Sequence, residues 1–430
     1  MKKKEIKKTG ETVYYEKMLN GLEVYMVPNN KVKNFYITLN TRFGSIHTDF
    51  SYKNKDYKLP KGVAHFLEHI LFNMPDGKSA NEYYSQLGSS INAFTSYDIT
   101  CYEVFANSKF KENLSYLLKY VYTPYFTKEM INAEKGVITE EIKQIADNPN
   151  SELVYGLHRN LFLKDNHQFL ISGTIDDVKK TTLEDIEVAY DAFYHPKNMF
   201  LIITGNFKPE EALAITSETL INFEFDKYEA PVFKEIKEPF KVKKELQEKI
   251  MPVEKHKVSM GFKIPKSNFK SLKLSDLELR LYLNMITRVN FGSTSILKEE
   301  LVSNGIVTTG INSSLMLVDE YVVVSFMGST DYPDYFINRI QEKFKNLKIS
   351  EEETQRKTRS AISSLIMSFD EIELVNSDIQ DDILNYDEFI TGIYDYYKNL
   401  DVNTAIKVMD KLNKYLVSII VLKPKEEEST

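Results

Sequence analysis

Two near-continuous apolar runs, 198–204 and 414–422, each close a series of elements that come in the same order. Apolar runs of this kind read as buried strands. Ahead of the first lie a strand at 35–41, helices at 62–73 and 81–87, a strand pair across 91–106, and helices at 111–122, 128–147 and 183–193. Ahead of the second lie a strand at 257–263, helices at 274–287 and 295–303, a strand pair across 307–326, and helices at 334–345 and 351–369. Both runs also exit alike, through Lys208-Pro209 and through Lys423-Pro424. A repeat on this scale predicts an α+β protein of two similar domains, each a mixed or antiparallel sheet with helices packed on it. Between them, 225–248 is rich in lysine and glutamate, carries Pro231 and Pro239, and lacks any sustained period. Proline biases its predecessor away from helix, so the stretch reads as a partly extended linker. The expected division is 1–224, linker 225–248 and 249–430.

A chain of 430 residues exceeds one ordinary core, which agrees with that division. The net charge of −7 contains no block of like charge, so no nucleic-acid footprint is visible. Lys2 to Lys4 and Glu426 to Glu428 read as solvated ends. One cysteine, Cys101, excludes an internal disulfide framework and a thiolate cluster, and its strand-like setting suggests a buried thiol. The polar start lacks the apolar core of a secretory leader, and no stretch approaches the roughly 20 apolar residues that span a bilayer. A cytoplasmic chain with no membrane or nucleic-acid partner is the expectation.

The chemistry concentrates in Gly62-Val63-Ala64-His65-Phe66-Leu67-Glu68-His69. Val63, Phe66, Leu67, Ile70 and Leu71 recur at helical spacing and would form a buried stripe. His65, Glu68 and His69 stand at i, i+3 and i+4, on one side of the same helix. Two imidazoles four residues apart are what a helix offers zinc, and an intervening carboxylate can reach a metal-held water without becoming a ligand. Unpaired imidazoles on an apolar helix would be costly, which favours metal binding over coincidence. A catalytic site needs a third protein ligand. The helix at 128–147, capped by Thr127 and ended before Pro149, places Glu134 and Glu141 two turns apart on one face. Val137 and Ile138 between them would turn that face inward, whereas Glu140 would be solvated. Spacing alone does not choose among these acids.

The chain from about residue 35 to 210 resembles the N-terminal domain of the insulinase, pitrilysin and mitochondrial processing peptidase family of inverted-motif zinc peptidases. The resemblance rests on Arg42-Phe43-Gly44-Ser45, the histidine helix, Asn92-Ala93-Phe94-Thr95-Ser96, Glu134 through Glu141, Asp147-Asn148-Pro149, Gly173-Thr174, and Tyr194-His195-Pro196-Lys197-Asn198-Met199, in that order. It implies one zinc per chain held by His65, His69 and Glu141, with Glu68 as general base. Glu134 would orient a ligating histidine, and Asn92, Ala93, Phe94 and Thr95 would lie on an edge strand that receives the substrate backbone. The second domain would be non-catalytic. The chain's length is similar to the processing-peptidase-like subgroup, in which two chains of two domains enclose a chamber. Within it, the likeness is to the zinc-bearing member of paired proteins of Gram-positive bacteria.

One motif departs. The family carries an arginine and, seven residues on, a tyrosine that contact the substrate from the C-terminal half. Aligned on Gly305, those positions hold Leu301 and Thr308, and neither can do that work. A paralogous partner chain supplying the pair is therefore expected, in preference to a second copy of this one. The expected reaction is zinc-dependent endoproteolysis of flexible peptides or leader segments. The competing reading, a non-catalytic scaffold or peptide-binding subunit, has no need of all of His65, Glu68, His69 and Glu141. A metal-dependent hydrolase of esters or phosphoesters is a weaker rival. His47, His158, His167, His195 and His256 lack ligand spacing and read as structural or exposed.

Overall fold

The structure is a computed structural model that describes residues 1–425, so Glu426 to Glu428 lie outside the described residues. Two compact units emerge, each assembled from three stretches of chain: 1–142, 170–235 and 365–393 in the first, and, among the described residues, 143–169, 236–364 and 394–425 in the second.

The first unit is built on a seven-stranded sheet in the spatial order Lys2–Glu5, Thr12–Lys17, Glu23–Pro28, Met199–Gly205, Phe35–Thr41, Thr100–Ala106, Ser90–Thr95. Met199–Gly205 lies in the middle, parallel to Glu23–Pro28 and antiparallel to Phe35–Thr41, and every one of its residues is buried. Its unbroken apolar sequence follows from cover on both faces. One face carries the main core, including Val63, Phe66, Leu67, Ile70, Leu117, Ile186 and Phe193. The other is covered by helix Ile372–Tyr386, which lays Val375, Ile379 and Ile383 against Tyr25, Val27, Phe200 and Ile202. A polar seam fixes that helix: Thr38 donates to Asn376 at 2.8 Å, Gln380 to Asn40 at 2.7 Å, and Thr204 to the Ile372 carbonyl at 2.8 Å.

The second unit has a five-stranded sheet ordered Leu246–Ile250, Leu416–Lys423, His256–Pro265, Tyr321–Thr330, Asn312–Val318. Helices Asp276–Phe291, Ile296–Ser303, Pro333–Lys345 and Val402–Asp410 share one core with the sheet. Helix Pro149–Leu161 packs Leu153, Leu157 and Leu161 against Tyr321, Val323, Ile420 and Leu422. Gly261 permits this approach, since a Cβ there would sit 2.7 Å from Leu161 Cδ1. A sheet with helices packed on it thus recurs in both units, as the repeat in the sequence predicts.

Three sequence expectations need correction. Lys2 to Lys4 are exposed but not unstructured, because Lys2–Glu5 pairs antiparallel with Thr12–Lys17. The stretch 225–248 is not free of elements: Val232–Phe233 pairs with Asp49–Tyr52, and Leu246–Ile250 begins within it and runs parallel to Leu416–Lys423. Both strands are specified by partners far away in sequence, which local periodicity does not register. Val137 is 55% exposed, so only Ile138 turns inward between Glu134 and Glu141. Cys101 is a buried free thiol, as expected. Among the described residues, no helix is long and apolar enough to cross a membrane.

One charged pair holds the second unit from within. Lys263 Nζ, wholly buried, donates to Glu238 Oε1 at 2.6 Å and to the carbonyls of Leu161, Lys241 and Pro239. Glu238 in turn accepts the backbone N–H groups of Leu163, Lys164 and Asp165. The Lys263 ammonium also lies 4.6 Å from the Tyr321 ring centroid and 5.2 Å from that of Phe162. Removing one partner leaves the other charge buried and uncompensated, which costs about 3–5 kcal/mol. Lys263→Met should lower the second unit's unfolding free energy by roughly that amount in urea titration, and adding Glu238→Gln should recover part of the loss.

Candidate metal centre

The histidines ride on helix Val63–Leu71, whose buried face is Val63, Ala64, Phe66, Leu67, Ile70 and Leu71. It begins at Gly62 in the left-handed conformation, φ 83°. Gly62 and Gly173 (φ 78°) meet backbone to backbone: a Cβ on Gly62 would lie 2.2 Å from the Ser172 carbonyl oxygen, and one on Gly173 2.2 Å from that of Lys61. Only glycine satisfies both the conformation and the contact. Packing of the helix against Leu183–Phe193 and strand Ser90–Thr95 then fixes which side faces outward.

The second contributor is helix Lys128–Asp147, whose Thr127 hydroxyl accepts the Met130 N–H at 3.2 Å. Ile131, Ile138 and Ile142 are its buried residues, and Glu134 and Glu141 each stand three residues beyond one of the first two. Asn148 ends it and caps the next helix, with Pro149 in that helix's first turn.

These two helices bring together His65, His69 and Glu141, whose nearest donor atoms all lie within 4.8 Å of one another. Among the described residues, no other such group of histidine, cysteine and acidic side chains forms. His65 Nε2 stands 3.4 Å from Glu141 Oε1, and His69 Nε2 stands 3.5 Å from Glu141 Oε2. Each imidazole thus faces one oxygen of the same carboxylate, close enough for one ion about 2.0–2.1 Å from each ligand to lie among the three side chains. Tautomers sharpen the point. His69 Nδ1 lies 2.8 Å from Glu134 Oε1, and a carboxylate can only accept, so Nδ1 carries the proton. With Nδ1 committed to Glu134, Nε2 is the nitrogen that faces the Glu141 carboxylate and the one available to a cation. The residues fit a zinc ion: two imidazole nitrogens, one carboxylate, and side chains 12%, 23% and 33% exposed that leave room for water in a fourth place. His65 Nδ1 is buried without a hydrogen-bond partner, so no second contact orients this ring as Glu134 orients His69.

Electrostatics follow from the shared burial. Burial, assisted by His69, pushes the His65 pKa down to about 3. For His69, burial opposes the charged ring, but the Glu134 hydrogen bond and the charges of Glu68, Glu134 and Glu141 outweigh it and raise the pKa. Glu68, 7% exposed, is pushed up by burial, with its Thr95 hydrogen bond and His69 opposing and Glu141 reinforcing. Glu141 is likewise raised by burial.

Glu68 is buried behind the cluster, and Thr95 Oγ1 donates to its Oε2 at 2.7 Å. Sequence reasoning placed Thr95 with Asn92, Ala93 and Phe94 on an edge strand but found no link to Glu68. Ser90–Thr95 is the last strand of the seven-stranded sheet. Ser90, Asn92 and Phe94 are exposed on one face, while Ile91, Ala93 and Thr95 are progressively covered on the other. Asn92 donates to Glu103 at 3.0 Å. The remaining histidines stay outside the cluster: His47 accepts the Gly44 N–H, His167 Nδ1 lies 2.6 Å from Asp165, and His195 caps the turn Pro196–Asn198. In the second unit, Leu301 is fully buried in the core and Thr308 is exposed.

Comparison with known proteins agrees with this architecture. Residues 51–174 match the family model described as Insulinase (Peptidase family M16), and residues 180–360 match that described as Peptidase M16 inactive domain. A Bacillus subtilis protein named "Uncharacterized zinc protease YmfH" is 34% identical over 329 residues, 75% of this chain and 76% of its own. An Arabidopsis thaliana protein named "Probable mitochondrial-processing peptidase subunit beta" is 27% identical over 202 residues, 45% of this chain and 36% of its own. The solved structure of an M16-like peptidase from Alicyclobacillus acidocaldarius superposes with a TM-score of 0.89 at 23% identity, covering 96% of this chain and 99% of its own, and so shares the fold. The chain belongs to the insulinase family of peptidases, peptidase family M16.

In metal-free protein the depressed His65 pKa has a direct readout. At pH 5 nitrogen-edited NMR should show the His65 ring neutral, where an unperturbed imidazole near 6.5 would be mostly protonated. A protonated His65 ring at that pH would contradict the burial described above.

Proposed function

We propose that this chain is the catalytic subunit of a zinc endopeptidase, with His65, His69 and Glu141 as zinc ligands and Glu68 as general base. The observation that carries the reading is the convergence of those three donors within 4.8 Å, backed by a buried carboxylate on the same helix. Zinc, when bound, makes water acidic enough to attack at neutral pH and polarises the scissile carbonyl. Glu68 takes the proton from the attacking water and delivers it to the departing amine. Glu134 holds the His69 tautomer through Nδ1, leaving Nε2 for the metal. The exposed edge at Asn92, Ala93, Phe94 and Thr95 receives an extended peptide by strand addition, which selects flexible peptides or leader segments over folded proteins.

A paralogous partner completes the site by contributing the arginine–tyrosine pair that family resemblance calls for. Support comes from Leu301, sealed in the second unit's core, and from Thr308, whose short side chain replaces the tyrosine. One relative is itself named as a subunit of a processing peptidase. Two chains of this kind would enclose the substrate.

The test combines zinc content with peptide hydrolysis by the chain alone and with its partner. One zinc per chain is expected, with activity that needs the partner, disappears on chelation and returns with zinc. Glu68→Gln should keep its zinc and lose about 10²- to 10⁴-fold in kcat. Glu134→Gln should bind zinc about 10- to 100-fold more weakly in chelator competition. A zinc-replete preparation without bound metal overturns the assignment, and full activity from the chain alone removes the partner.

A further inference from the structure

We infer that Thr95 is a positioning residue for the proposed base: its hydroxyl holds Glu68 Oε2 so that Oε1 stays directed at the reacting water. The inference rests on the peptidase reading above.

Among the described residues, Thr95 supplies the hydrogen bond that the structure gives to the Glu68 side chain, at 2.7 Å in a buried setting. The direction of this bond is forced. Thr100 Oγ1 lies 3.3 Å from Thr95 Oγ1, but the Thr100 proton is committed to the Phe43 carbonyl at 2.8 Å. Thr100 therefore does not donate to Thr95, and the carboxylate, which can only accept, receives the hydrogen bond of the Thr95 hydroxyl over the shorter 2.7 Å contact. Behind Thr100, Tyr102 and Tyr194 share a 2.7 Å bond between their hydroxyls, so a wall of hydroxyls lines the buried side of the base.

Without that anchor Glu68 has two attractive alternatives. Its neighbour His69 draws it electrostatically, and a metal held one residue away would accept it as an additional ligand. Either movement withdraws the base from the water. The backbone supports the anchoring role. Thr95 ends the edge strand, where Ser96 donates its N–H to the Ile99 carbonyl and accepts, through its own carbonyl, the Ser45 N–H at 3.0 Å. The edge strand offered to the peptide and the hydroxyl that sets the base thus belong to one rigid segment.

The test compares Thr95→Val and Thr95→Ser in the zinc-loaded chain with its partner. Valine keeps the branched shape a strand favours and removes only the hydroxyl. Loss of one hydrogen bond to a charged group predicts a fall in kcat of about 10- to 100-fold. KM should stay within about 2-fold, because strand addition uses the backbone of Asn92 to Thr95, which the valine leaves in place, while the lost hydroxyl acts on the base. Thr95→Ser should recover most of the rate. Zinc stoichiometry should match wild type in both variants, melting temperature should fall by no more than a few degrees in the valine variant from the lost buried hydrogen bond, and a crystal structure of that variant should show Glu68 displaced. Unchanged kcat in Thr95→Val, a serine variant as slow as the valine one, or an undisturbed Glu68 overturns the positioning role alone. A zinc-loaded wild-type pair that cleaves no peptide overturns the peptidase reading together with it.

Discussion

Everything in the metal centre depends on the backbone crossing between Gly62 and Gly173. Each glycine occupies a conformation and a space that a side chain would deny, and the pair seats the first turn of the histidine helix against a loop some hundred residues away. A helix fixed at its first turn and packed along its apolar stripe has no rotational freedom left. His65 and His69 therefore face outward by geometry, not by mutual attraction. The acidic helix can then be simple: three buried isoleucines set its azimuth, and Glu134 and Glu141 fall one turn from two of them.

The charges are arranged as a conflict that a cation resolves. Three carboxylates and two imidazoles share a half-buried space, where burial disfavours the charged forms of His65, Glu68 and Glu141 while the surrounding carboxylates favour a charged His69. Glu134 settles one part by accepting the hydrogen bond of the His69 Nδ1–H. What remains is a set of donor atoms from His65, His69 and Glu141 that lie within 4.8 Å of one another. Such a set is suited to a cation, because its donors are already gathered by the two helices that carry them.

Sequence reasoning reaches this centre because helices translate spacing into direction. His65, Glu68 and His69 could be placed on one side of a helix from their intervals alone, and so could the pairing of Glu134 with Glu141. Choosing Glu141 needed family resemblance, since no interval ties residue 141 to residue 65. The Thr95–Glu68 bond was invisible for the same reason: it joins a strand to a helix, and neither segment's period contains it. Leu246–Ile250 and Lys2–Glu5 were hidden by their lysines and glutamates, because edge strands need not be apolar. Helices Pro149–Leu161 and Ile372–Tyr386 went unread because the surfaces that give them an inside are sheets from distant parts of the chain.

Those two helices carry a further consequence. Pro149–Leu161 belongs to the sheet formed mainly by the later half of the chain, and Ile372–Tyr386 to the sheet formed by the earlier half. A ribosome that has released the first 235 residues has therefore not released a finished domain, for one face of its central sheet still awaits residues 365–393. Sequence-distant contacts of this kind slow folding and keep apolar strands open to the wrong partners until synthesis ends. Completion of either unit is thus a whole-chain event, since each draws on stretches from both the early and the late part of the sequence.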